Sequence, residues 1–358
     1  MKIAYNFEYD RKLRAVFVGC GGHAIRNVFP AFQYAPVDLL AVCDRVADRA
    51  RWCARQFGAH RCYTGYEEML EREQPDVVFA CLDYDGQGKP QYPEVAMAAM
   101  RAGAHTWIEK PPASTSLKVE EMMAVSKVTG RFTAVGFKKM FFPANVKAKA
   151  IIDEKGFGRI ACITARYPQA LPPLEERSDC RKMSGFLDHI VHPHSVLKYF
   201  AGPLESMYVE RHKTGAATVA LRFVSGAVGS LLLAHGQSGM SPLERTEIIG
   251  AGRNVVVDNN CRVYDYRGGW PVGGYGYAGS FYDQEGDSCR YWEPEFSLGQ
   301  LYNKGLFMLG YAPEILYFCE CALENAPPER GNLEDAWELL RIYEAYCKPD
   351  GQQVRVAA

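Results

Sequence analysis

Residues 13–44, LRAVFVGCGGHAIRNVFPAFQYAPVDLLAVCD, contain the pattern that decides the fold. An apolar run at 15–18 meets a glycine-rich turn at 19–24, and an amphipathic segment follows. A second apolar run at 39–43 then ends at Asp44. The order predicts strand, tight turn, helix and strand, closed by an acid, which is typical of a dinucleotide-binding βαβ unit.

The turn is expected to hold the pyrophosphate of such a cofactor. Gly19 permits the sharp bend, Gly21 lets a pyrophosphate approach the backbone, and Ala24 lets helix and strand pack closely. The helix that starts there offers free N–H groups and a positive dipole end to the phosphates. The cofactor contacts predicted from the turn are Gly19, Cys20, Gly21, Gly22, His23 and Ala24.

Asp44 and Arg45 bear on which dinucleotide binds. The carboxylate of Asp44 is placed to accept hydrogen bonds from a ribose diol, and it would repel a 2′-phosphate. Arg45 could instead pair with that phosphate. We therefore predict NAD as cofactor, with NADP as the alternative.

The composition is that of an ordinary globular protein. The chain has 358 residues, 48% of them hydrophobic and 23% charged, and a net charge of −1, so it is long enough for two domains. The near-neutral charge argues against nucleic acid or membrane surfaces as partners. No apolar run reaches the roughly 18 residues of a membrane span, and the charged N-terminus does not read as a secretory signal.

Cysteine usage points to a reducing compartment. The 12 cysteines are scattered without CxxC pairs, and many lie in apolar stretches. Buried free thiols behave in this way, whereas a disulfide framework or zinc knuckle would show regular spacing. We therefore expect a cytoplasmic protein.

The first half of the chain alternates helix and strand patterns. The continuous apolar run at 76–82 and the run at 105–108 are of the buried kind found in parallel sheets. The alternation predicts an α/β, doubly wound and mostly parallel sheet of the Rossmann type over residues 1–138. Its cofactor should lie across the carboxyl ends of the strands, where Cys81, Leu82, Glu109 and Lys110 are further predicted contacts.

The second half of the chain has a different pattern of apolar and polar residues. Short alternating segments follow one another from 159 to 266 and predict a large, mostly antiparallel open sheet, hence an α+β domain over residues 139–358. Helical patterns return at 306–324 and 333–347, and the last of these could pack back on the first domain. The aromatic, glycine-rich connection at 270–296 is typical of either a lid or an oligomer contact.

Two groups of residues could take part in catalysis. Lys110, in Glu109-Lys110-Pro111, follows the fifth strand and could stabilise a developing alkoxide; the alternative is a surface ion pair. In residues 185–194, GFLDHIVHPH, Asp188 and His192 would share a helix face, and a carboxylate beside an imidazole is a familiar general-base arrangement.

Two further features of residues 185–194 bear on this interpretation, namely the proline and the side chains of kinds that can bind metals. Because the residue before proline is pushed out of the α region, we expect Pro193 to begin a helix that runs to about residue 200, with His192 at its cap. A polar turn with capping side chains is the plain structural interpretation. A metal site at Asp188, His192 and His194 is a third interpretation, but the spacing matches no standard site.

Taken together, the motifs resemble the glucose-fructose oxidoreductase/inositol dehydrogenase family (Gfo/Idh/MocA) over nearly the full chain. The matching landmarks are VFVGCGGHA, LLAVCD, DVVFACL, EVAMAAMRAGAHTWIEKPPA, GFKKMFFPA, GFLDHIVHPHSVLKYFAG and GYAPEILYFCECALENAPP. The resemblance implies a Rossmann domain followed by a domain whose open sheet often mediates oligomerisation, here a homodimer or homotetramer.

The resemblance also assigns roles. His192 would accept the proton of a substrate hydroxyl, while Lys110 and Asp188 would polarise and orient that substrate. Further predicted substrate contacts are Lys138, Tyr167 and His189. The chain departs from the family pattern at 83–89, which replaces a common Thr-Pro-Asn loop, and at Lys138-Lys139, which stand where Asn and Arg are common.

Three functions follow as hypotheses. The leading one is a nicotinamide-dependent dehydrogenase acting on a hydroxyl of a sugar, cyclitol or glycoside. A second uses the same residues for transient oxidation and elimination, which would cleave a glycoside. The third is a non-catalytic dinucleotide-binding subunit, against which the presence of Lys110, Asp188 and His192 argues.

Overall fold

The computed structural model describes residues 3–267, 288–295 and 304–357, so most of the aromatic connection at 270–296 lies outside the described residues. The chain divides into two compact units. The first contains residues 1–141, 179–191 and 303–344, and the second contains 142–178, 192–302 and 345–358. Each unit takes several segments of the chain. The single domain boundary after residue 138 stays a prediction.

The first unit begins with alternating strands and helices. In chain order these are β1 (Leu13–Val18), β2 (Val37–Cys43), α1 (Ala47–Phe57), β3 (Arg61–Tyr63), α2 (Tyr66–Glu73), β4 (Val77–Ala80), α3 (Tyr92–Arg101), β5 (His105–Ile108), α4 (Ser116–Thr129) and β6 (Thr133–Val135). Among the described residues the six strands form one parallel sheet in the order β3-β2-β1-β4-β5-β6. This confirms the predicted doubly wound sheet.

The sheet order places a crevice between β1 and β4. The chain reverses its winding direction there, and ligands of open α/β sheets bind outside the carboxyl ends of strands at such a point. The strands beside it are continuous apolar runs because both faces are covered: every residue of β4 and β5 is buried. Phe17 of β1 stacks on Phe29, with ring centroids 4.1 Å apart.

The segment after the glycine turn is helical but irregular. A π-helical stretch at Ala24–Val28 passes into a 3₁₀ stretch at Phe29–Gln33. Pro30 has no N–H to donate to the carbonyl of Arg26, and the N–H of Phe29 bonds to the carbonyl of Ala24, five residues back. The amphipathic pattern predicted a helix without indicating this widening.

Three elements follow β6: α5 (Pro143–Ile152), β7 (Cys162–Tyr167) and α6 (Cys180–Ala201). Our expectation that Pro193 begins a helix with His192 at its cap is wrong, because Pro193 lies inside the continuous helix α6. The helix has buried apolar side chains both before and after the proline, including Phe186, Val191 and Leu197. Burial of this long stripe outweighs the roughly 3 kcal/mol that an interior proline costs.

The remaining elements are β8 (Leu204–Arg211), β9 (Ala217–Phe223), β10 (Val228–Leu233), β11 (Arg245–Ile249), β12 (Asn254–Asp258), β13 (Arg262–Tyr266), β14 (Cys289–Trp292), α7 (Lys304–Met308), α8 (Tyr311–Glu324), α9 (Leu333–Tyr346) and β15 (Gln353–Arg355). Nine described strands form the second sheet, in the order β14-β13-β12-β11-β7-β10-β9-β8-β15. Only the β7–β10 pairing is parallel among these strands, so the predicted mostly antiparallel sheet is confirmed.

The C-terminal helices return to the first unit. The pattern at 306–324 forms two helices rather than one, because Gly310 adopts a left-handed φ of +76° between α7 and α8. Helix α9 is tied to α4: Ser116 Oγ donates to Glu344 Oε2 at 2.9 Å, and Trp337 Nε1 donates to Glu120 Oε1 at 2.8 Å. Throughout the described part of the chain, no helix is both long and apolar enough to cross a membrane.

Candidate active site

The glycine turn after β1 is fitted closely to the neighbouring strands. Gly19 has a φ of +97°, and a Cβ at this position would lie 2.0 Å from the carbonyl oxygen of Cys81. Its N–H donates to the carbonyl of Cys43 at 2.8 Å. A Cβ on Gly21 or Gly22, by contrast, would meet nothing within 4 Å. The protein itself therefore requires glycine at 19, whereas the openness at 21 and 22 is available to a ligand.

A cavity of about 490 Å³ lies at the carboxyl ends of β1, β2 and β4. It brings together six of the predicted cofactor contacts: Gly19, Gly21, Asp44, Arg45, Cys81 and Leu82. Asp44 is held in place, because its Oδ2 accepts from the N–H of Cys20 at 2.9 Å and its Oδ1 accepts from the N–H of Val46 at 2.8 Å. Each carboxylate oxygen keeps a lone pair for a further donor.

These residues fit a dinucleotide. The open backbone over Gly21 leaves room for a pyrophosphate, and the oriented carboxylate of Asp44 lines the same cavity and can accept from a ribose diol. Among the described residues the cavity also contains Arg49, Tyr66 and Gln91. The turn would hold the phosphates and Asp44 the ribose.

Replacing Gly21 with alanine should separate cofactor binding from folding. The added methyl group meets no protein atom within 4 Å, so we expect an unchanged Tm, but it occupies the space of the pyrophosphate and should weaken NADH binding by about tenfold or more, or about 1.4 kcal/mol. Fluorescence titration and thermal unfolding measure the two effects.

Gly19→Ala is the matched comparison for this experiment. Its methyl group collides with the Cys81 carbonyl, and the left-handed φ is strained for alanine by about 1–3 kcal/mol, so this variant should lose stability as well. Unimpaired NADH binding by Gly21→Ala would contradict the placement of the pyrophosphate.

Lys110 and Asp188 form the ion pair at the end of β5. Lys110 Nζ donates to Asp188 Oδ1 at 2.7 Å and to the Asp188 carbonyl at 3.3 Å, and its side chain is only 12% exposed. The Lys110–Pro111 peptide bond is cis. An ammonium group has three protons, so these two bonds leave one N–H of Lys110 for an oxygen of a bound molecule.

Glu109 links this strand end to the glycine turn. Its buried carboxylate contacts His23 Nε2 at 2.9 Å through Oε1 and accepts from the N–H of Lys110 at 2.9 Å through Oε2. His23 Nδ1 faces the amide nitrogen of Asn27 at 3.2 Å, which fixes the ring from the other side. Because Asn27 Nδ2 is a donor, His23 Nε2 carries the proton that Glu109 accepts.

Lys138 meets a partner from a distant segment. Its Nζ donates to the hydroxyl of Tyr311 at 2.7 Å and lies 4.2 Å from the centre of that ring. Burial lowers the pKa of Lys138 from its ordinary value, an effect that the nearby Glu109 opposes. The same burial, reinforced by Glu109, raises the pKa of Tyr311, which therefore remains a neutral phenol.

Glu314 has an unusual environment for a carboxyl group. Its side chain is buried, and neither carboxyl oxygen has a hydrogen-bond partner among the described residues. Burial, followed by the charge of Glu109, raises the pKa of Glu314 well above its usual value, against the opposing effects of Lys138 and Arg330. Burial and the charge of Glu109 both favour the neutral carboxylic acid over the carboxylate.

Glu314→Gln should change how stability depends on pH. The folded wild type keeps this proton at pH values where the unfolded chain, with an ordinary glutamate pKa near 4.3, has lost it. The contribution of Glu314 to wild-type stability therefore falls as pH rises above that value, and the glutamine variant lacks this contribution. The stability of Glu314→Gln relative to wild type should rise by about 1.4 kcal/mol per pH unit within this window.

Urea unfolding between pH 5 and 8 measures this difference. The exposed Glu320 on the same helix gives the matched control Glu320→Gln, which should run parallel to wild type. Equal slopes for Glu314→Gln and wild type would show that Glu314 is ionised in the folded protein.

The histidines of α6 have different surroundings. His192 follows Asp188 by one turn of the helix and is 6% exposed. His189 is exposed and its Nε2 lies 3.9 Å from Asp188 Oδ2, which is beyond hydrogen-bond distance. His194 Nε2 lies 2.8 Å from the hydroxyl of Tyr346, and burial lowers the pKa of His194 to about 3.

The three residues considered above as metal ligands all interact with other groups of the protein. Asp188 holds Lys110, and His194 faces Tyr346. In the described ranges, no group of three or more His, Cys, Asp or Glu side chains could hold a metal ion. Tyr167, a predicted substrate contact, lies in β7 of the second unit and is buried; its role stays a prediction.

Sequence reasoning missed Tyr84, Tyr311 and Glu314. Tyr84 carries a signal in hindsight, because it follows a predicted buried strand at the carboxyl edge of the sheet. Tyr311 and Glu314 are separated from Lys138 by more than 170 residues, since Lys138 and Tyr311 are 173 positions apart. No local pattern brings such segments together.

Comparison with known proteins is consistent with this geometry. The model of the oxidoreductase family with an NAD-binding Rossmann fold matches residues 13–137, and the model of the GFO/IDH/MocA C-terminal domain matches residues 145–255. The match over residues 13–137 defines the class as NAD-binding oxidoreductases. Within that class, the chain belongs to the Gfo/Idh/MocA family.

Individual relatives and solved structures have low sequence identity to this chain. Myo-inositol 2-dehydrogenase of Thermotoga maritima is 27% identical over 241 residues, which are 62% of this chain and 68% of the relative. D-glucoside 3-dehydrogenase of Escherichia coli is 28% identical over 157 residues, 43% of each chain; the match thus spans less than half of that relative. The structure of levoglucosan dehydrogenase with NADH has a TM-score of 0.75 at 20% identity and covers 97% of this chain and all of its own.

Proposed function

We propose that this protein is an NAD-dependent dehydrogenase that oxidises a ring hydroxyl of a sugar, cyclitol or glycoside, or reduces the corresponding ketone. The observation that carries the proposal is the arrangement of Lys110. Two of its protons are fixed by Asp188, and one is left for a substrate oxygen, at the carboxyl edge of the sheet that also forms the cofactor cavity.

Each residue of the site has a different role in the proposed reaction. When bound, the nicotinamide supplies the hydride acceptor or donor. Lys110 stabilises negative charge that develops on the reacting oxygen, as a fixed donor in a partly buried site. Asp188 holds that ammonium in place. His192, one helical turn further on, is proposed to take the hydroxyl proton, since imidazole can exchange a proton near neutral pH.

The substrate class is supported by relatives and by the kind of site. The names of two relatives refer to an inositol and to a glucoside, both polyhydroxylated rings. A site with an ammonium, a carboxylate and imidazoles offers donors and acceptors to several hydroxyl groups at once. We propose Lys138 and His189 as further substrate contacts on these grounds.

Incubation of the protein with NAD⁺ and a panel of inositols, hexoses and methyl or aryl glycosides tests the proposal. We expect the absorbance of reduced nicotinamide to rise with at least one member of the panel. Release of an aglycone with only catalytic amounts of cofactor would instead indicate cleavage by oxidation and elimination. Tight NADH binding without hydride exchange on the whole panel would contradict a dehydrogenase of this substrate class.

Cofactor choice is proposed to favour NAD over NADP. The carboxylate of Asp44 is fixed by two backbone N–H groups and would repel a 2′-phosphate in the same cavity. Arg45 and Arg49 also line that cavity and are the groups that would admit the phosphate. Parallel fluorescence titrations with NADH and NADPH decide the question, and tighter NADPH binding would overturn the preference.

We further propose a homo-oligomer that forms through the second sheet. In β9 the burial alternates strictly, so one face of the sheet is covered and the other is open. The open face presents Tyr208, Val228 and Leu232 among charged side chains of both signs. Such a mixed, self-complementary surface suits a second copy of the same chain.

Leu232→Glu should dissociate such an oligomer. Leu232 is 42% exposed in the middle of the open face, and burying an added carboxylate in an interface without a partner is costly. Light scattering after size exclusion should show a smaller species than wild type. Val128→Glu, on the exposed side of α4, is the control and should keep the wild-type mass; a monomeric wild type would contradict the proposal.

A cytoplasmic location is also part of the proposal. All 12 cysteines are free thiols, and five of them are buried. Disulfides would be expected in an oxidising compartment, so this state suits a reducing one.

A further inference from the structure

Tyr84 lies in a loop that is closed on itself. The loop joins β4 to α3, and Tyr84 pairs with Pro90 across it. Asp85 Oδ1 accepts from the N–H groups of Gln87 and Lys89 at 2.8 and 2.9 Å, and Gln91 Nε2 donates to the carbonyl of Asp83 at 2.9 Å. The backbone on both sides of Tyr84 is therefore fixed by hydrogen bonds.

The loop is seated directly on the start of α6. Gly88 has a φ of +78°, and a Cβ there would lie 2.6 Å from Cα of Arg181, so only glycine allows this approach. The hydroxyl of Tyr84 lies 3.3 Å from the carbonyl of Ser184 and 3.2 Å from Asp188 Oδ1. A phenol has one proton, and a charged acceptor forms the stronger bond, so Asp188 is the favoured acceptor.

Tyr84 and Lys110 share one acceptor atom. Asp188 Oδ1 receives the hydroxyl of Tyr84 and, at 2.7 Å, the ammonium of Lys110. Burial, reinforced by the charge of Asp188, raises the pKa of Tyr84, so the hydroxyl remains a donor at physiological pH. Without this hydroxyl, Asp188 Oδ1 would lose one of these two donors, and the carboxylate could rotate about its last bond and take the ammonium with it.

We propose that Tyr84 is a positioning residue for the dehydrogenase site: it fixes the carboxylate of Asp188 and thereby the direction of the remaining N–H of Lys110. The inference rests on the proposed function for its kinetic consequence, but not for its effect on Lys110. A merely structural tether between loop and helix would act on stability instead. The two roles make different predictions for Tyr84→Phe, which keeps the ring and removes only the hydroxyl.

Kinetics on a working substrate give the first test. Tyr84→Phe should lower kcat by about 10- to 100-fold, the effect of losing one hydrogen bond to a charged group. The KM for substrate, the Kd for NADH and the Tm should stay at wild-type values. Tyr317→Phe is the matched control, because its hydroxyl accepts from the N–H of Glu329 at 2.8 Å, outside the site, and its kcat should be unchanged.

The double variant Tyr84→Phe/Lys110→Met tests whether Tyr84 acts through Lys110. If Tyr84 acts through Lys110, the two substitutions should not add, and the double variant should be as slow as Lys110→Met alone. A kcat of Tyr84→Phe within about twofold of wild type, or full additivity in the double variant, would overturn the inference.

Chemical labelling of Lys110 gives a test that needs no substrate. Acetic anhydride modifies free amines, and mass spectrometry of the peptide that contains Lys110 reports its rate of modification. The rate should rise severalfold in Tyr84→Phe and stay at the wild-type value in Tyr317→Phe. An unchanged rate would overturn the inference. Failure of the whole substrate panel would contradict the proposed function alone.

Discussion

Lys110→Met should reduce kcat by about 10²–10³-fold, the typical effect of removing one donor that stabilises charge on a reacting oxygen. Methionine keeps much of the length and apolar volume of the lysine side chain but has no N–H groups. The 2.7 Å bond to Asp188 is lost together with the proton that faces the substrate. NADH binding should change little, because the cavity at β1, β2 and β4 does not include Lys110.

Steady-state kinetics and NADH titration check this expectation together. Lys118→Met is the matched control, since Lys118 pairs with Glu121 on the surface of α4 and should keep the wild-type kcat. A loss of NADH affinity equal to the loss of kcat would mean that Lys110 holds the cofactor rather than the reacting oxygen. Unchanged turnover would remove Lys110 from the chemistry.

His192→Asn is expected to lower kcat by about 10²–10⁴-fold, the range that a positioned general base contributes. Asparagine is close to histidine in shape and can hydrogen bond, but it cannot accept the hydroxyl proton. His192 is 6% exposed in the same helix as Asp188, so a smaller polar side chain should preserve the helix. Added imidazole should restore part of the lost rate.

The exposed His60, which lies 3.8 Å from Asp38, gives the control for this experiment. His60→Asn should keep full activity and should not respond to imidazole. Full turnover by His192→Asn would show that another group accepts the proton. Lys138 would then be the next side chain to replace, because burial lowers its pKa and a neutral amine can accept a proton.

The fold could be read from the sequence where local pattern and tertiary packing agree. The strand at His105–Ile108 has the bounds that the pattern indicates, and β7 to β13 all lie within the predicted stretch at 159–266. Every residue of the strand at His105–Ile108 is buried, which is the environment that its pattern predicts. The glycine turn also behaves as expected, because the left-handed φ of Gly19 is a local requirement of the sharp turn.

Prediction failed where packing overrides a local preference. The rule that proline disfavours helix in the preceding residue placed a boundary at His192, yet α6 continues through Pro193 because its apolar side chains are buried on both sides. The π-helical stretch at Ala24–Val28 likewise follows from Pro30 and packing, and an amphipathic pattern does not distinguish it from an α-helix.

Some residues of the candidate site could likewise be predicted from the sequence, and others could not. Asp188 and Lys110 were paired only through resemblance to a family, since 78 positions separate them in the chain. Tyr311 and Glu314, at the start of α8, reach Lys138 through the return of the C-terminal helices to the first unit. A buried acid with unpartnered oxygens leaves no trace in the sequence, because glutamate in a helix is ordinarily a surface residue.

Isotope transfer from substrate to cofactor tests the proposed chemistry most directly. A polyol that carries deuterium on its reacting ring carbon is incubated with NAD⁺ and the protein, and the reduced cofactor is examined by NMR. We expect deuterium at carbon 4 of the nicotinamide in wild type and none above background in His192→Asn or Lys110→Met over the same time. NADH that forms without deuterium, or product that forms without NADH, would contradict direct hydride transfer at this site.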